Sequence, residues 1–419
     1  MTKSMTKENW KKNIVLFMTG QTLSLFGSSL VQYAIMWHIT LSTKSGIMMT
    51  LSIICGFLPT LFLSPFSGVW ADRYNRKTLI MLADALIAFV TLIMAILFMM
   101  GHYSVWLLFV VSAVRSLGSG IQTPAVGAFL PELVPQEKLT RVNSVNGTIQ
   151  SLIMLVSPML SGALMTLAPL EYIFFIDVIT AALAIVTLFA FLRVPPREKT
   201  EELHQNSYLK DMKLGLGYIK NHPFLITFFT FVAIFSFFAA PAAFLTPLQV
   251  TRSFGDDVWR LTAIEMTFSI GMMSGGLIMA TWGGFKNRVH TMVLSGFAVG
   301  AGTLALGLVT NFWVYLAFMA AVGLVIPLFN TPAMVMIQEK VEPDYMGRVF
   351  SVMTMISSSV TPLGMLVFGP LADRVRIEWL LVATGFVLFI ENFFMMGSKE
   401  LIKAGWPVKN KQEAEMAES

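Results

Sequence analysis

Arg115 is the only basic residue inside a long apolar run of this chain, and four carboxylates, Asp84, Asp177, Glu265 and Glu391, share that kind of setting. An unpaired arginine at the centre of a bilayer costs roughly 2.5 to 3.5 kcal/mol on insertion scales, so Arg115 is expected to face the protein interior. Buried carboxyls exchange protons as water reaches or leaves them, so the chemistry these types offer is proton uptake and release coupled to access. At a rise of 1.5 Å per residue, Asp84 and Arg115 lie about 10 and 12 Å in from the same end of their helices, level enough to pair. Glu265, about five residues from the far end of its run, is the first choice for a titrating or cation-attracting group. The candidates for proton coupling are therefore Arg115, Glu265, Asp84 and Asp177.

Neutral polar residues form stripes beside them. Ser112, Arg115, Ser119 and Gln122 follow one another at spacings of three, four and three, which is one helical face. Gln21, Ser24, Ser28 and Gln32 share a second face, Asn146 and Gln150 a third, and Thr354 and Ser358 a fourth, with Asn330 in a further run. Such stripes suit the wall of a shared aqueous cavity, and the same residue types also hold helices together, so both readings stand. The 29 Met and 34 Phe offer an adaptable apolar lining or a lipid-facing surface.

These residues need elements long enough to carry them across a bilayer. The chain is 55% apolar and 13% charged, with a mean hydropathy of +0.70, and cannot hide so much apolar surface in a soluble core. About 20 apolar residues span the hydrocarbon as a helix, because backbone polar groups there must be satisfied within the segment. Twelve runs qualify, near 14–40, 46–70, 78–100, 104–126, 143–168, 171–193, 223–250, 258–281, 290–309, 312–335, 349–371 and 377–398. The first is too long for a signal peptide and is expected to be retained. With both termini in the cytoplasm, 23 of the 29 Lys and Arg fall on inner segments and five on outer loops, the asymmetry expected of that orientation. The exception is the last outer loop, where Arg374 and Arg376 are charged on the wrong side.

The chain also repeats itself. Gly120-Ile-Gln-Thr-Pro124-Ala125 is echoed by Leu328-Phe-Asn-Thr-Pro332-Ala333, Arg141-Val-Asn-Ser-Val145 by Arg348-Val-Phe-Ser-Val352, and Pro158 with Gly162 by Pro362 with Gly364. Two six-helix halves in one orientation are the plan of transporters that alternate access around a midplane site. The expected organisation is an N-terminal bundle over 1–193, a linker over 194–222, a C-terminal bundle over 223–399 and a cytoplasmic tail over 400–419. In the linker, Leu209, Met212, Leu216 and Ile219 define an amphipathic helix at the inner interface.

Between the second and third runs lies Gly68-Val-Trp-Ala-Asp72-Arg73-Tyr-Asn-Arg76-Lys77. Gly68 permits close helix packing, Asp72 suits a helix end, and the three cations fix the loop inside. This segment resembles the signature loop of the major facilitator superfamily, with Asn75 in the place of a glycine. The resemblance implies a twelve-helix fold of two pseudo-symmetric bundles, with Gly68, Asp72, Arg73, Arg76 and Lys77 forming a conformational latch. Arg115 resembles the arginine that drug exporters of the family link to proton movement. The third and sixth helices of that family are peripheral, which equally suggests structural roles for Asp84 and Asp177.

Over almost its full length the chain looks like the macrolide-efflux branch of drug:proton antiporters. The resembling stretches include Gly56-Phe-Leu-Pro59, Ser116 to Ala125, Phe175-Ile-Asp177 and Tyr345-Met-Gly-Arg348. The resemblance implies export of amphipathic small molecules by proton antiport from a bacterial plasma membrane, with siderophore or lysophospholipid transport as relatives' alternatives. Partners are then a small-molecule substrate, protons and the lipid bilayer, with the monomer as the functional unit. A non-transporting membrane scaffold is the remaining class. No nucleotide-binding loop or metal-ligand cluster is present, the five histidines are scattered, and Cys55 is the only cysteine, so neither enzyme, cofactor, metal nor nucleic acid is expected.

Overall fold

The computed structural model describes residues 10–192 and 208–407, and the described residues are helical, without strands. The chain divides into two compact units. The first comprises Met1–Lys44, Met48–Leu203 and Asp256–Thr262, and the second Ser45–Ile47, His204–Gly255 and Ala263–Ser419. Six long helices carry the first part of the chain: α1 Trp10–Thr43, α2 Gly46–Arg73, α3 Arg76–Met99, α4 Val105–Leu133, α5 Leu139–Leu167 and α6 Leu170–Phe191. The remainder holds α7 Tyr208–Lys220, α8 Pro223–Phe244, α9 Thr246–Ser253, α10 Val258–Trp282, α11 Arg288–Leu308, α12 Phe312–Lys340, α13 Pro343–Ala372, α14 Ile377–Gly397 and α15 Lys399–Ala404. Twelve helical segments among the described residues are long and apolar enough to cross a membrane, one for each of the twelve runs.

Outward-facing side chains agree with a lipid solvent. Phe62, Leu82, Phe89, Leu167, Phe189 and Leu277 are all exposed, far more apolar surface than water tolerates. Exposed aromatics, including Tyr103, Trp106, Tyr172, Trp259, Trp282, Trp313 and Trp379, stand near helix ends, where amphipathic rings sit at headgroup level.

In the first unit α1 packs chiefly on α6, and α3 on both α4 and α6. The packing is close because the residues at the crossings are small. A Cβ on Gly27 would lie 2.1 Å from Thr180 Oγ1 and 3.1 Å from the Asp177 Cα. Gly27→Ala is therefore expected to cost about 1 to 3 kcal/mol and to lower the midpoint of thermal unfolding in detergent. Gly20→Ala, whose added carbon would sit at ordinary contact distance of 3.7 Å, should not. Buried Phe98 and Phe174 meet edge-on at 5.6 Å in one core, Phe17 and Phe129 at 5.2 Å in another.

The α2–α3 turn holds its shape without the family's glycine. Asn75 has φ −64°, ordinary for any residue, and its side chain caps α3 by accepting from the Thr78 amide at 3.2 Å. Gly68 departs from expectation: an added Cβ there would meet nothing within 4 Å among the described residues. The close approach of α2 lies elsewhere, at Gly120 of α4, where an added Cβ would sit 3.2 Å from the Thr60 Cα.

Two further details differ from the sequence reading. The run 223–250 is two helices, because Pro247 has no N–H with which to continue the ladder and α9 restarts beyond Leu245. In α7 the stripe is rotated. Gly215, Tyr218 and Ile219 are buried while Leu216 is exposed; the side chains of Leu209 and Met212 lie outside the described residues. Tyr218 stacks on Tyr345 of α13 with ring centres 4.3 Å apart, Arg348 lies over the Tyr345 ring at 5.5 Å, and a Cβ added to Gly215 would sit 3.2 Å from the Arg348 carbonyl oxygen. The buried face of α7 is thus turned to α13 within the second unit.

Candidate functional site

Four helices of the first unit bring a buried polar cluster together, and the reason is the spacing of their polar residues. The α4 stripe places Ser112, Arg115 and Gln122 in the interior, with Ser119 half-buried. On α3, Asp84 and Thr91 are seven residues apart, two turns along one face, and both are buried. From α1 come Gln21 and Ser24, both buried, and half-buried Ser28; from α6 comes Asp177, fully buried.

The cluster divides into two linked sites. At the first, the Arg115 guanidinium pairs with Asp177 and donates to the Thr91 hydroxyl, and a second arm donates to the Ser28 carbonyl at 3.2 Å. Ser28 Oγ donates to Asp177 Oδ1 at 3.1 Å and Thr91 Oγ1 approaches Oδ2 at 3.3 Å, so both carboxylate oxygens are engaged. At the second, Asp84 Oδ1 accepts from Ser24 at 2.7 Å and from Gln122 at 2.6 Å. Asp84 Oδ2 and both polar atoms of the Gln21 amide are buried with no hydrogen-bond partner among the described residues.

The charges do not balance. Two carboxyls and one guanidinium share the cluster, and the guanidinium is committed to Asp177. Among the described residues Asp84 accepts from neutral donors only, whereas Asp177 carries the ion pair with Arg115. The partner of Arg115 is Asp177 and not Asp84, the residue that depth along the helices had suggested. Thr91, which bridges the pair, was not singled out in the sequence; its two-turn spacing from Asp84 is the signal that marks it.

The remaining sequence candidates are placed as follows. Gln32 and Gln150 are exposed and Asn146 half-buried in the first unit. In the second, Asn330 and Thr354 are exposed, half-buried Glu265 makes no ion pair or hydrogen bond among the described residues, and the Ser358 side chain lies outside them. Glu391 is buried on α14, its Oε2 without a hydrogen-bond partner among the described residues. Of the signature loop, Arg76 donates to the Ala71 carbonyl at 2.9 Å, to the Ala128 carbonyl at 2.7 Å and to Glu132 at 2.8 Å, tying the ends of α2 and α4. Lys77 donates to the Leu192 carbonyl at 2.7 Å, a cation at the carboxyl end of α6. Arg73 is exposed, and the Asp72 side chain lies outside the described residues.

A sequence profile of the Major Facilitator Superfamily matches residues 15–365. The chain belongs to this superfamily. Macrolide efflux protein A of Streptococcus pyogenes is 30% identical over 386 residues, 91% of this chain and 95% of that one. The macrolide efflux protein A of Enterococcus faecalis is 29% identical over 324 residues, 77% of this chain and 99% of that one. Among solved structures, a bacterial homologue of the human lysosomal transporter Spinster aligns with a TM-score of 0.68 at 15% identity, covering 96% of this chain and 99% of that one. The fold is therefore that of the major facilitator superfamily, and the chain is a multi-pass membrane transporter of small molecules, not an enzyme.

Proposed function

We propose that this facilitator exports amphipathic, macrolide-type drugs from a bacterial cytoplasm by proton antiport with alternating access. The observation that carries the reading is the 30% identity to macrolide efflux protein A across nearly the whole of both chains. The first unit's buried cluster supports the coupling half of it. Asp84 is the carboxyl that takes up and releases the proton, and the Arg115–Asp177 pair holds α1, α3, α4 and α6 in register around it. Glu265 on α10, without a polar partner among the described residues, is the second carboxyl to test. Gln21, Ser24, Ser28, Ser112, Ser119 and Gln122 line the first half of the pathway, with Asn330, Thr354 and Ser358 contributing from the second. Residues 68–77 form the latch, both termini are cytoplasmic, and the monomer, organised as 1–193, 194–222, 223–399 and 400–419, is the working unit.

The test is uptake of a labelled fourteen-membered macrolide by cells expressing the protein, with and without a protonophore. Accumulation should fall on expression and recover when the proton gradient is collapsed. Unchanged accumulation with correctly inserted protein would sink the macrolide assignment. The same cells then report siderophore or lysophospholipid movement.

A further inference from the structure

The second unit holds a cavity of about 560 Å³ where α9, the carboxyl end of α11 and the start of α14 meet. It lies at the end that the Lys and Arg distribution assigns to the outside, and two of the five cations there, Arg252 and Arg376, line it. Outer-loop cations run against the positive-inside pattern, so their clustering at one hollow asks for an anion.

The floor is built and fixed. Gln249, 1% exposed, donates to the Leu306 carbonyl at 2.8 Å and accepts from the Tyr315 hydroxyl at 2.9 Å. Arg252 is held by the Ala372 carbonyl at 2.6 Å and by Asp373 at 2.7 Å. Arg376 is different: its side chain is 76% exposed, its Nε reaches Glu378 at 3.4 Å, and its other N–H groups have no partner among the described residues. A guanidinium left this way presents a fork that matches phosphate oxygens. Glu378, bonded to Ser253 at 2.7 Å, would repel a dianion more than a monoanion, which favours a phosphodiester over free phosphate. One flank is apolar and open: Leu308 and Trp379, exposed by 67% and 62%, lead from the cavity along α11 and α14 into the membrane-spanning surface.

We propose that this cavity binds the headgroup of an anionic phospholipid of the outer leaflet, with the phosphodiester on Arg376, steered by Arg252, and an acyl chain along Leu308 and Trp379. The site is built from residues of the second unit alone, and its occupancy is independent of the exported cargo.

The test uses the full-length protein purified in detergent, with thermal unfolding followed as phosphatidylglycerol, phosphatidylcholine or inorganic phosphate is added. Phosphatidylglycerol should stabilise the wild type more than phosphatidylcholine, and inorganic phosphate should not reproduce the shift. Arg376→Gln should weaken the phosphatidylglycerol response about fivefold, with Arg376→Lys retaining part of it. Trp379→Ala, a surface change on the chain track, should weaken the response to both lipids. Equal stabilisation by the two lipids, or an undiminished phosphatidylglycerol preference in Arg376→Gln, overturns the proposal. A shift obtained with inorganic phosphate alone makes this a free-anion site and overturns the lipid assignment.

Discussion

Arg115→Gln should cost about 3 to 5 kcal/mol of stability, because it leaves Asp177 buried with its cation gone. Asp177→Asn should cost a similar amount for the mirrored reason. The double variant should be more stable than either single one, since both charges leave together and the amides can still bond with Thr91 and Ser28. Two contacting residues of one network commonly show coupling of about 0.5 to 3 kcal/mol, and this pair should exceed that range, because a double variant better than either single one requires a coupling larger than one single loss. Unfolding midpoints of the four proteins in one detergent close the cycle. Strictly additive losses would mean that the pair does not exist as described. The packing around Gly27 raises the stakes, because the α1 backbone runs within a few ångströms of Asp177 and leaves a stranded carboxylate no water to turn to.

The second large effect separates the two carboxyls by function. Asp84→Asn keeps an oxygen to accept from Ser24 and Gln122, so stability should change by about 1 kcal/mol or less. Export, in contrast, should collapse by at least roughly tenfold, because an amide holds no exchangeable proton at this position. Macrolide binding to the purified variant should survive, and its pH dependence should flatten. The measurements are efflux from loaded cells and equilibrium binding across pH. If Asp84→Asn pumps like the wild type, the coupling carboxyl is another, and Glu265→Gln is the next variant to make.

The sequence carried the membrane plan well. Twelve apolar runs became twelve spanning segments because hydrocarbon admits only internally bonded backbone, a rule that needs no tertiary information. The α4 stripe was equally legible, since 3.6-residue periodicity fixes which residues share a face. What it could not supply was azimuth. Depth pointed to Asp84 as the partner of Arg115, and Asp177 takes that place, because depth along a helix is one coordinate and the rotation of α3 and α6 about their axes is another. That rotation is set by close packing, such as Gly27 against Thr180 and Gly118 against Ile87. The same gap rotated the buried face of α7: Leu216 looked like part of its apolar stripe, but the flat ring of Tyr345 selected Tyr218. The break at Leu245 is marked in the sequence by Pro247 alone, since the surrounding hydropathy is unbroken.

The stacked rings of Tyr218 and Tyr345 change what the connecting segment can be. An amphipathic helix lying loose at a membrane surface is slack, and whatever happens on one side of it dissipates before reaching the other. A helix riveted by its aromatic face to the first turn of α13 is a handle. Tension or a docked protein acting on α7 is delivered to Tyr345 and Arg348, at the root of a helix with Pro362 and Pro370 in its interior. The helix that opens the second unit is therefore fixed to the root of α13, and a displacement of α7 cannot leave Tyr345 where it is.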